Sequence, residues 1–267
     1  MDSSGGQDNP FKDYFRSTVW DLTSAEAYHG ILFFNRDLDF ATQFGVIPGS
    51  LTEVCGINNS GRTCLCVKLC VSVCVPSFLW GVDGESIYLD SRQMFHPRLV
   101  ERLVTSTNSA MKDQFEKKNF ALSTDDVLSR IHYVRIITVE EFVAKVEFLK
   151  EYLKIHPRVR LIVVDSIAML FHTFSGSSIQ RVKKIMETLM SLDNLAAVFN
   201  IAVVIVNDMT TRVSPCGTTS RVIPALGVYF YHKISYRIVL SRTPNGKFAA
   251  ELKKNFKNAN KTFSFNF

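Results

Sequence analysis

Gly56-Ile57-Asn58-Asn59-Ser60-Gly61-Arg62-Thr63 sets two glycines either side of four residues and follows them with a cation and a hydroxyl. This is the spacing of a loop that wraps nucleotide phosphates, except that the cation is normally lysine. The chemistry needs these residue types in this order. Glycines let backbone N–H groups turn inward around phosphate oxygens. A helix that starts directly after the loop adds the positive end of its dipole. Thr63 stands where a hydroxyl can hold Mg²⁺, and Arg62 where a compact charge usually reaches the outer phosphates. Arginine keeps that charge but is longer, planar and forked, so the exchange alters the geometry.

Such a loop requires a strand before it and a helix after it. Ser50 to Cys55 reads as the strand and Thr63 to Val75 as the helix, ended by Pro76. A second acid completes the chemistry. Leu161-Ile162-Val163-Val164 is an apolar strand that ends in Asp165 about 100 residues after the loop. In phosphate-loop enzymes an acid at the end of a neighbouring strand holds Mg²⁺, directly or through water. Asn207-Asp208 follows the next apolar strand, Ile201 to Val206, where a third polar contact to the outermost phosphate can sit.

Between these points the pattern alternates. Ser86–Asp90 and Ile131–Ile137 read as strands. Leu99–Met111 reads as a helix, and Thr138 caps another, with Glu141 three residues on as its capping-box partner. Val139, Phe142, Val143, Val146, Leu149 and Leu153 recur at helical spacing up to Pro157, as do Ile179, Val182, Ile185, Met186, Leu189, Ala196 and Phe199. Strands that are nearly all apolar, alternating with helices, predict an α/β fold with a mostly parallel sheet covered on both faces. The tail differs: 235–241, 247–252 and 262–267 read as consecutive short strands, the last alternating at Phe263, Phe265 and Phe267. Residues 112–126 are polar and charged and read as a mobile surface insert.

Composition sets outer limits. The chain has 267 residues, 46% hydrophobic and 21% charged, enough for a substantial core. No apolar run approaches ~18 residues, so no membrane span is expected. Residues 1–22 read as a partly disordered lead-in and 23–267 as one domain. The aromatics Phe11, Tyr14, Phe15, Trp20, Phe33, Phe34, Phe40 and Phe44 are expected to pack on that domain and on a partner. Six cysteines include Cys66, Cys70 and Cys74 on one helical face; their spacing fits no common zinc pattern, so they read as buried reduced thiols. The net charge is +6 and concentrates late, where Arg242, Lys247, Lys253, Lys254, Lys257 and Lys261 face only Glu251. That basic edge suits either solvent or a polyanion.

Several stretches together resemble the RecA-type strand-exchange recombinases, and more narrowly their eukaryotic C-type paralogues. They are Thr52-Glu53-Val54-Cys55-Gly56, Ile87-Tyr88-Leu89-Asp90-Ser91, Leu161 to Ser166, Val204 to Met209, Pro224-Ala225-Leu226-Gly227, and above all Asn207 to Val213. The resemblance implies a RecA-like core that binds ATP with Mg²⁺ and ends in antiparallel strands. It also implies a nuclear setting, single-stranded DNA, the main strand-exchange recombinase and other recombinase paralogue subunits as partners. Two segments align with the family's DNA loops: Phe171–Ser178, which holds His172, and Val213–Ile223, which holds Thr218, Thr219 and Arg221 and follows Arg212.

The departures matter as much. Arg62 replaces the loop lysine, Arg92 the glutamate that orients the attacking water, Asp208 a phosphate-sensing glutamine, and His172 an arginine of the first DNA loop. The family's helical N-terminal domain is expected to be missing. No catalytic residue is therefore assigned. Two functions fit: a weakly hydrolysing or inactive subunit that helps the main recombinase load on DNA in double-strand break repair in meiosis, or a working DNA-dependent ATPase with its own strand-exchange activity. A kinase-like enzyme acting on a small molecule would need an acid or base in a substrate pocket, and the sequence offers no candidate. Arg92 and Asp208 are expected either to pair or to meet a phosphate through Arg92.

Overall fold

A computed structural model describes residues 30–42, 45–114, 120–213, 220–254 and 261–265. Among the described residues the strands are β1 (Leu51–Gly56), β2 (Glu85–Asp90), β3 (Ile131–Arg135), β4 (Val159–Asp165), β5 (Ala202–Val213), β6 (Ser220–Pro224), β7 (Tyr236–Arg242), β8 (Phe248–Lys254) and β9 (Lys261–Phe265). They form one sheet in the order β3-β2-β4-β5-β1-β7-β8-β9, with β6 paired to β5. The pairings from β3 through β7 are parallel; β8, β9 and β6 are antiparallel additions. The α/β, RecA-like core with antiparallel C-terminal strands is thus present.

The central strands are continuously apolar because each strand face meets its own core. Val54, Leu161, Val163, Ala202, Val204 and Val206 pack on one side with α2 (Arg62–Val73) and α3 (Pro97–Gln114). Leu51, Ile162, Val164, Val203 and Ile205 pack on the other with α5 (Val139–Ile155) and α7 (Ser178–Phe199). The period of two divides each strand between the layers. Thr138 caps α5 as expected, accepting the Glu141 N–H at 3.1 Å, but the Glu141 carboxylate reaches back to the Ile137 N–H rather than to that of the cap. No described helix is long and apolar enough to cross a membrane. Burial drives the Cys70 and Cys74 thiols up to about 12, which suits inert reduced cysteines.

Two expectations change. Residues 112–126 are not an insert throughout: 112–114 continue α3, and 124–129 form a short helix, α4 (Thr124–Ser129). Leu122 and Val127 are buried, and Asn108 clamps Leu122 through both backbone groups, at 2.8 and 3.0 Å. Apolar anchors spaced among charges were the overlooked signal. The segment after Val213 is also not wholly a loop, because Ser220–Pro224 returns as β6.

Phe33 and Phe34 are buried in the core, as expected of these aromatics, together with Ile31, Leu32 and Leu38, although Phe40 is exposed; residues 1–29, which include the lead-in, and Phe44 lie outside the described residues. The turn before α1 (Arg36–Thr42) is tied by Asp39, whose carboxyl accepts the N–H groups of Phe33 and Asn35 at 2.6 and 3.0 Å. Burial raises the Asp39 pKa to about 7, against those bonds and the nearby charge of Lys68. The folded chain therefore holds a proton that the unfolded chain has released. Stability is expected to fall as pH rises from about 4 to about 7. Urea denaturation across that range should show the slope, and Asp39→Asn should lessen it, the raised carboxyls of Glu53 and Asp165 contributing in the same direction.

Candidate nucleotide-binding site

The loop lies at the carboxyl end of β1, on the side of the sheet where β4 and β2 end and where β5 passes beyond its pairing with β1 at Asp208. Register aligns the chemistry: Gly56 pairs with Asp208, and Asp90 with Asp165. This is where parallel α/β sheets bind ligands. Gly56 admits no side chain, since a Cβ there would meet Ser60 Oγ at 2.4 Å and the Leu240 carbonyl oxygen at 2.5 Å. Gly61 caps α2 in the left-handed region at φ 93°, and Asn59 is also left-handed. Ile57, Asn58 and Asn59 are exposed, so the crown of the loop is open, while Ser60 is buried and its Oγ has no partner among the described residues. The first-turn N–H groups of α2 have no intrahelical acceptors and remain for an anion.

Thr63 and Asp165 meet. Thr63 Oγ1 donates to Asp165 Oδ2 at 2.8 Å, and the Tyr88 hydroxyl donates to the same oxygen at 2.8 Å. Asp165 Oδ1 is buried with no partner among the described residues. An unpaired carboxylate oxygen beside a threonine hydroxyl is an oxygen donor set that fits Mg²⁺, held directly or through water. Burial raises the Asp165 pKa despite the bonds from Thr63 and Tyr88 and the charge of Arg92; a bound cation would reverse that penalty.

Arg62 is only 5% exposed and does not extend freely into the loop. Its guanidinium donates to the Asn207 carbonyl at 3.0 Å and to Asn58 Oδ1 at 3.3 Å, and forms a short ion pair with Asp208. Arg92 meets the same Asp208 oxygen at 2.8 Å, while Ser166 Oγ bonds the other at 3.2 Å. Burial would raise the Asp208 pKa, but Arg62 and Arg92 together hold it below the usual carboxylate range. The expected Arg92–Asp208 pair is therefore present. The contact of Arg62 with the same carboxylate was not foreseen from the sequence.

Several positioning residues were missed. Asp90 is fully buried and accepts the N–H groups of Arg92, Gln93 and Phe95 at 2.9, 2.7 and 3.1 Å, which folds the 91–95 turn and aims Arg92. Ser91 and Ser166 exchange two bonds, at 2.8 and 2.9 Å. Deeper still, Glu53 accepts from Asn207 Nδ2 at 2.7 Å and pairs with Arg237, its cross-strand neighbour. An acid at the end of β2, parallel to the one ending β4, was the readable signal for Asp90. Of the three carboxylates at this edge of the parallel sheet, Asp90 serves the turn, Asp165 binds Thr63 and Tyr88 through one oxygen, and Asp208 is shared by two arginines.

The positions aligned with DNA contacts scatter differently. His172 is exposed at the end of α6 (Ile167–His172), whereas Phe171 beside it is buried. Arg212 and Arg221 face each other across the β5–β6 hairpin and are both exposed. Thr218 and Thr219 lie outside the described residues.

The Rad51 family profile matches residues 31–248. The chain is 29% identical over 224 residues to the DNA repair protein RAD51 homolog 3 of Dictyostelium discoideum, covering 82% of this chain and 59% of that protein. It is 29% identical over 245 residues to the protein of the same name from Cricetulus griseus, covering 87% and 65%. It is 30% identical over 228 residues to the human DNA repair protein RAD51 homolog 2, covering 76% and 58%. The chain thus spans about three fifths of the length of these relatives. With the matched span enclosing the loop, Thr63, Asp165 and the arginine-linked Asp208, the chain belongs to the Rad51 family.

Proposed function

We propose that the chain is a recombinase-paralogue subunit that binds ATP with Mg²⁺ and single-stranded DNA but hydrolyses ATP weakly or not at all. The observation that carries this is the contact of Thr63 with Asp165 beneath a loop that tolerates only glycine at 56. Gly56 to Gly61 would wrap the phosphates with backbone N–H groups, and Thr63 with Asp165 would hold the magnesium. The metal supplies charge neutralisation between phosphate oxygens when bound. Arg62 and Arg92 would supply cationic character toward the triphosphate, with Asp208 acting on it through them. Hydrolysis also needs a group that orients water, and position 92 carries a cation instead.

In this role the nucleotide is a ligand that stabilises one state of an assembly. The setting we propose is nuclear, in homologous recombination and meiotic double-strand break repair, with the main strand-exchange recombinase and other paralogue subunits as partners. The names of the relatives, DNA repair proteins, support this.

The hairpin supports a DNA contact. Two arginines directly opposite on exposed strands repel each other. A phosphate backbone lying across them would relieve that repulsion. Along β5 the distance from Asp208 to Arg212 is roughly 13 Å at strand rise, so one strand joins the phosphate site to the hairpin. Arg212→Ala and Arg221→Ala are each expected to weaken binding to labelled single-stranded DNA uniformly across sequences. Each should lower the slope of log affinity against log salt by about 0.7. An unchanged slope in both variants would remove this hairpin from the DNA interface.

A further inference from the structure

We propose that Glu85, His132 and His156 form a binding site for a divalent transition-metal ion, with Zn²⁺ as the reference ion. The site lies at the opposite end of the sheet from the phosphate loop. Glu85 opens β2, whose far end carries Asp90; His132 is the second residue of β3; His156 caps the carboxyl end of α5. One ligand atom from each lies within 4.8 Å of the others, and all three residues are half-buried. Among the described residues this is the group of His, Cys and acidic side chains that converges in this way.

The surroundings are ordered for the task. His132 Nε2 is 2.8 Å from Glu85 Oε2, and His132 Nδ1 is 2.9 Å from the Tyr152 hydroxyl. A metal-bound histidine commonly has an outer partner of this kind on its second nitrogen, which fixes the ring. Tyr152 also stacks on His156, with ring centroids 4.1 Å apart and planes at 20°. One tyrosine therefore orients both imidazoles. Arg158 lies 3.7 Å from the other Glu85 oxygen, Oε1, and leaves Oε2 for the ion.

Two imidazoles and a carboxylate suit Zn²⁺ and its transition-metal neighbours rather than Mg²⁺ or Ca²⁺. Metal–ligand bonds of about 2.0–2.2 Å place tetrahedral ligands about 3.4 Å apart. Side-chain rotations would open the 2.8 Å pair of His132 Nε2 and Glu85 Oε2 and draw in the wider spacings, which stay within 4.8 Å; the ion takes the place of the proton at His132 Nε2, and the neutral ring carries its proton on Nδ1, toward the Tyr152 hydroxyl. Water fills the fourth position. The ion ties the edge strand β3 to β2 and to the end of α5, so its effect is on stability and not on phosphate chemistry.

The test uses the full, untagged chain stripped with a chelator and then titrated with Zn²⁺ by calorimetry, with Mg²⁺ as control. One Zn²⁺ per chain is expected, with a raised unfolding temperature that Mg²⁺ does not produce. His156→Ala should lower Zn²⁺ affinity by at least about 10-fold. Tyr152→Phe, which keeps the stacked ring but removes the hydroxyl, should lower it by about 10–100-fold. ATP affinity should not move in either variant. Cobalt substitution should give visible d–d bands without the intense charge-transfer band of thiolate ligands. No uptake by the wild type, equal affinity in both variants, or a thiolate band from the cysteines would each overturn the site. Circular dichroism of the variants confirms that they fold, and Glu85→Gln provides a third ligand variant.

Discussion

Glu53→Ala is expected to destabilise the fold by about 3–5 kcal/mol, the cost of removing one partner from a buried ion pair. Glu53 is wholly buried in the middle of β1, between β5 and β7. Its carboxylate accepts from Asn207 and pairs with Arg237, which is only 11% exposed. Burial raises the Glu53 pKa, and the charge and hydrogen bond of Arg237 oppose this, followed by Asn207. Alanine leaves the guanidinium and the Asn207 amide without their acceptor in a site that water does not reach. For a domain stable by about 5–15 kcal/mol, that loss is a large fraction. Equilibrium denaturation checks it, with Glu53→Ala combined with Arg237→Met as control. The double variant should recover most of the loss, because the unpaired charge is gone. A single-variant cost under about 1 kcal/mol would show that the pair is not what organises this part of β1.

The layers and the loop were legible because they rest on local pattern. Continuous apolar runs such as Ile201–Val206 imply burial on both faces, and the glycine spacing at 56 and 61 implies a turn that only glycine permits. The Thr63–Asp165 contact was legible for the same reason, since a hydroxyl after the loop and an acid at a strand end each have a fixed place. Arg62 was less so. Its position predicted a cation facing phosphate, but a guanidinium reaches further than an ammonium and can find an acceptor on the neighbouring strand. The acceptor, Asp208, is 146 residues away in sequence, and only the β1–β5 register brings it opposite Gly56. Asp90 and Glu53 were missed because their work is to hold other residues, which composition does not reveal. The β5–β6 hairpin was read as a loop because its polar, glycine-containing stretch masks a strand that pairs only with an extension of β5.

The second large effect concerns Asp208. Its carboxylate is the negative charge closest to both candidate phosphate-binding arginines. Asp208→Asn removes that charge and frees two guanidiniums. ATP affinity is expected to rise about 10-fold, the equivalent of one charge-assisted hydrogen bond of about 1.4 kcal/mol. Turnover should stay feeble in the variant, because no carboxylate is gained that could orient water. Thr63→Ala should weaken magnesium-dependent binding instead. Equal ATP affinity in wild type and Asp208→Asn would mean that the arginines do not address the nucleotide.

The central claim, a site that holds ATP without consuming it, is tested most directly by a single-turnover experiment. Labelled ATP with Mg²⁺ is mixed with excess protein, with and without single-stranded DNA, and the label retained on the protein is identified over time. The account predicts that retained label stays ATP, with DNA making little difference, and that Thr63→Ala loses the retention. Rapid DNA-stimulated conversion to ADP that Thr63→Ala abolishes would contradict the weak-hydrolysis half, and no retained nucleotide of any kind would contradict the binding half.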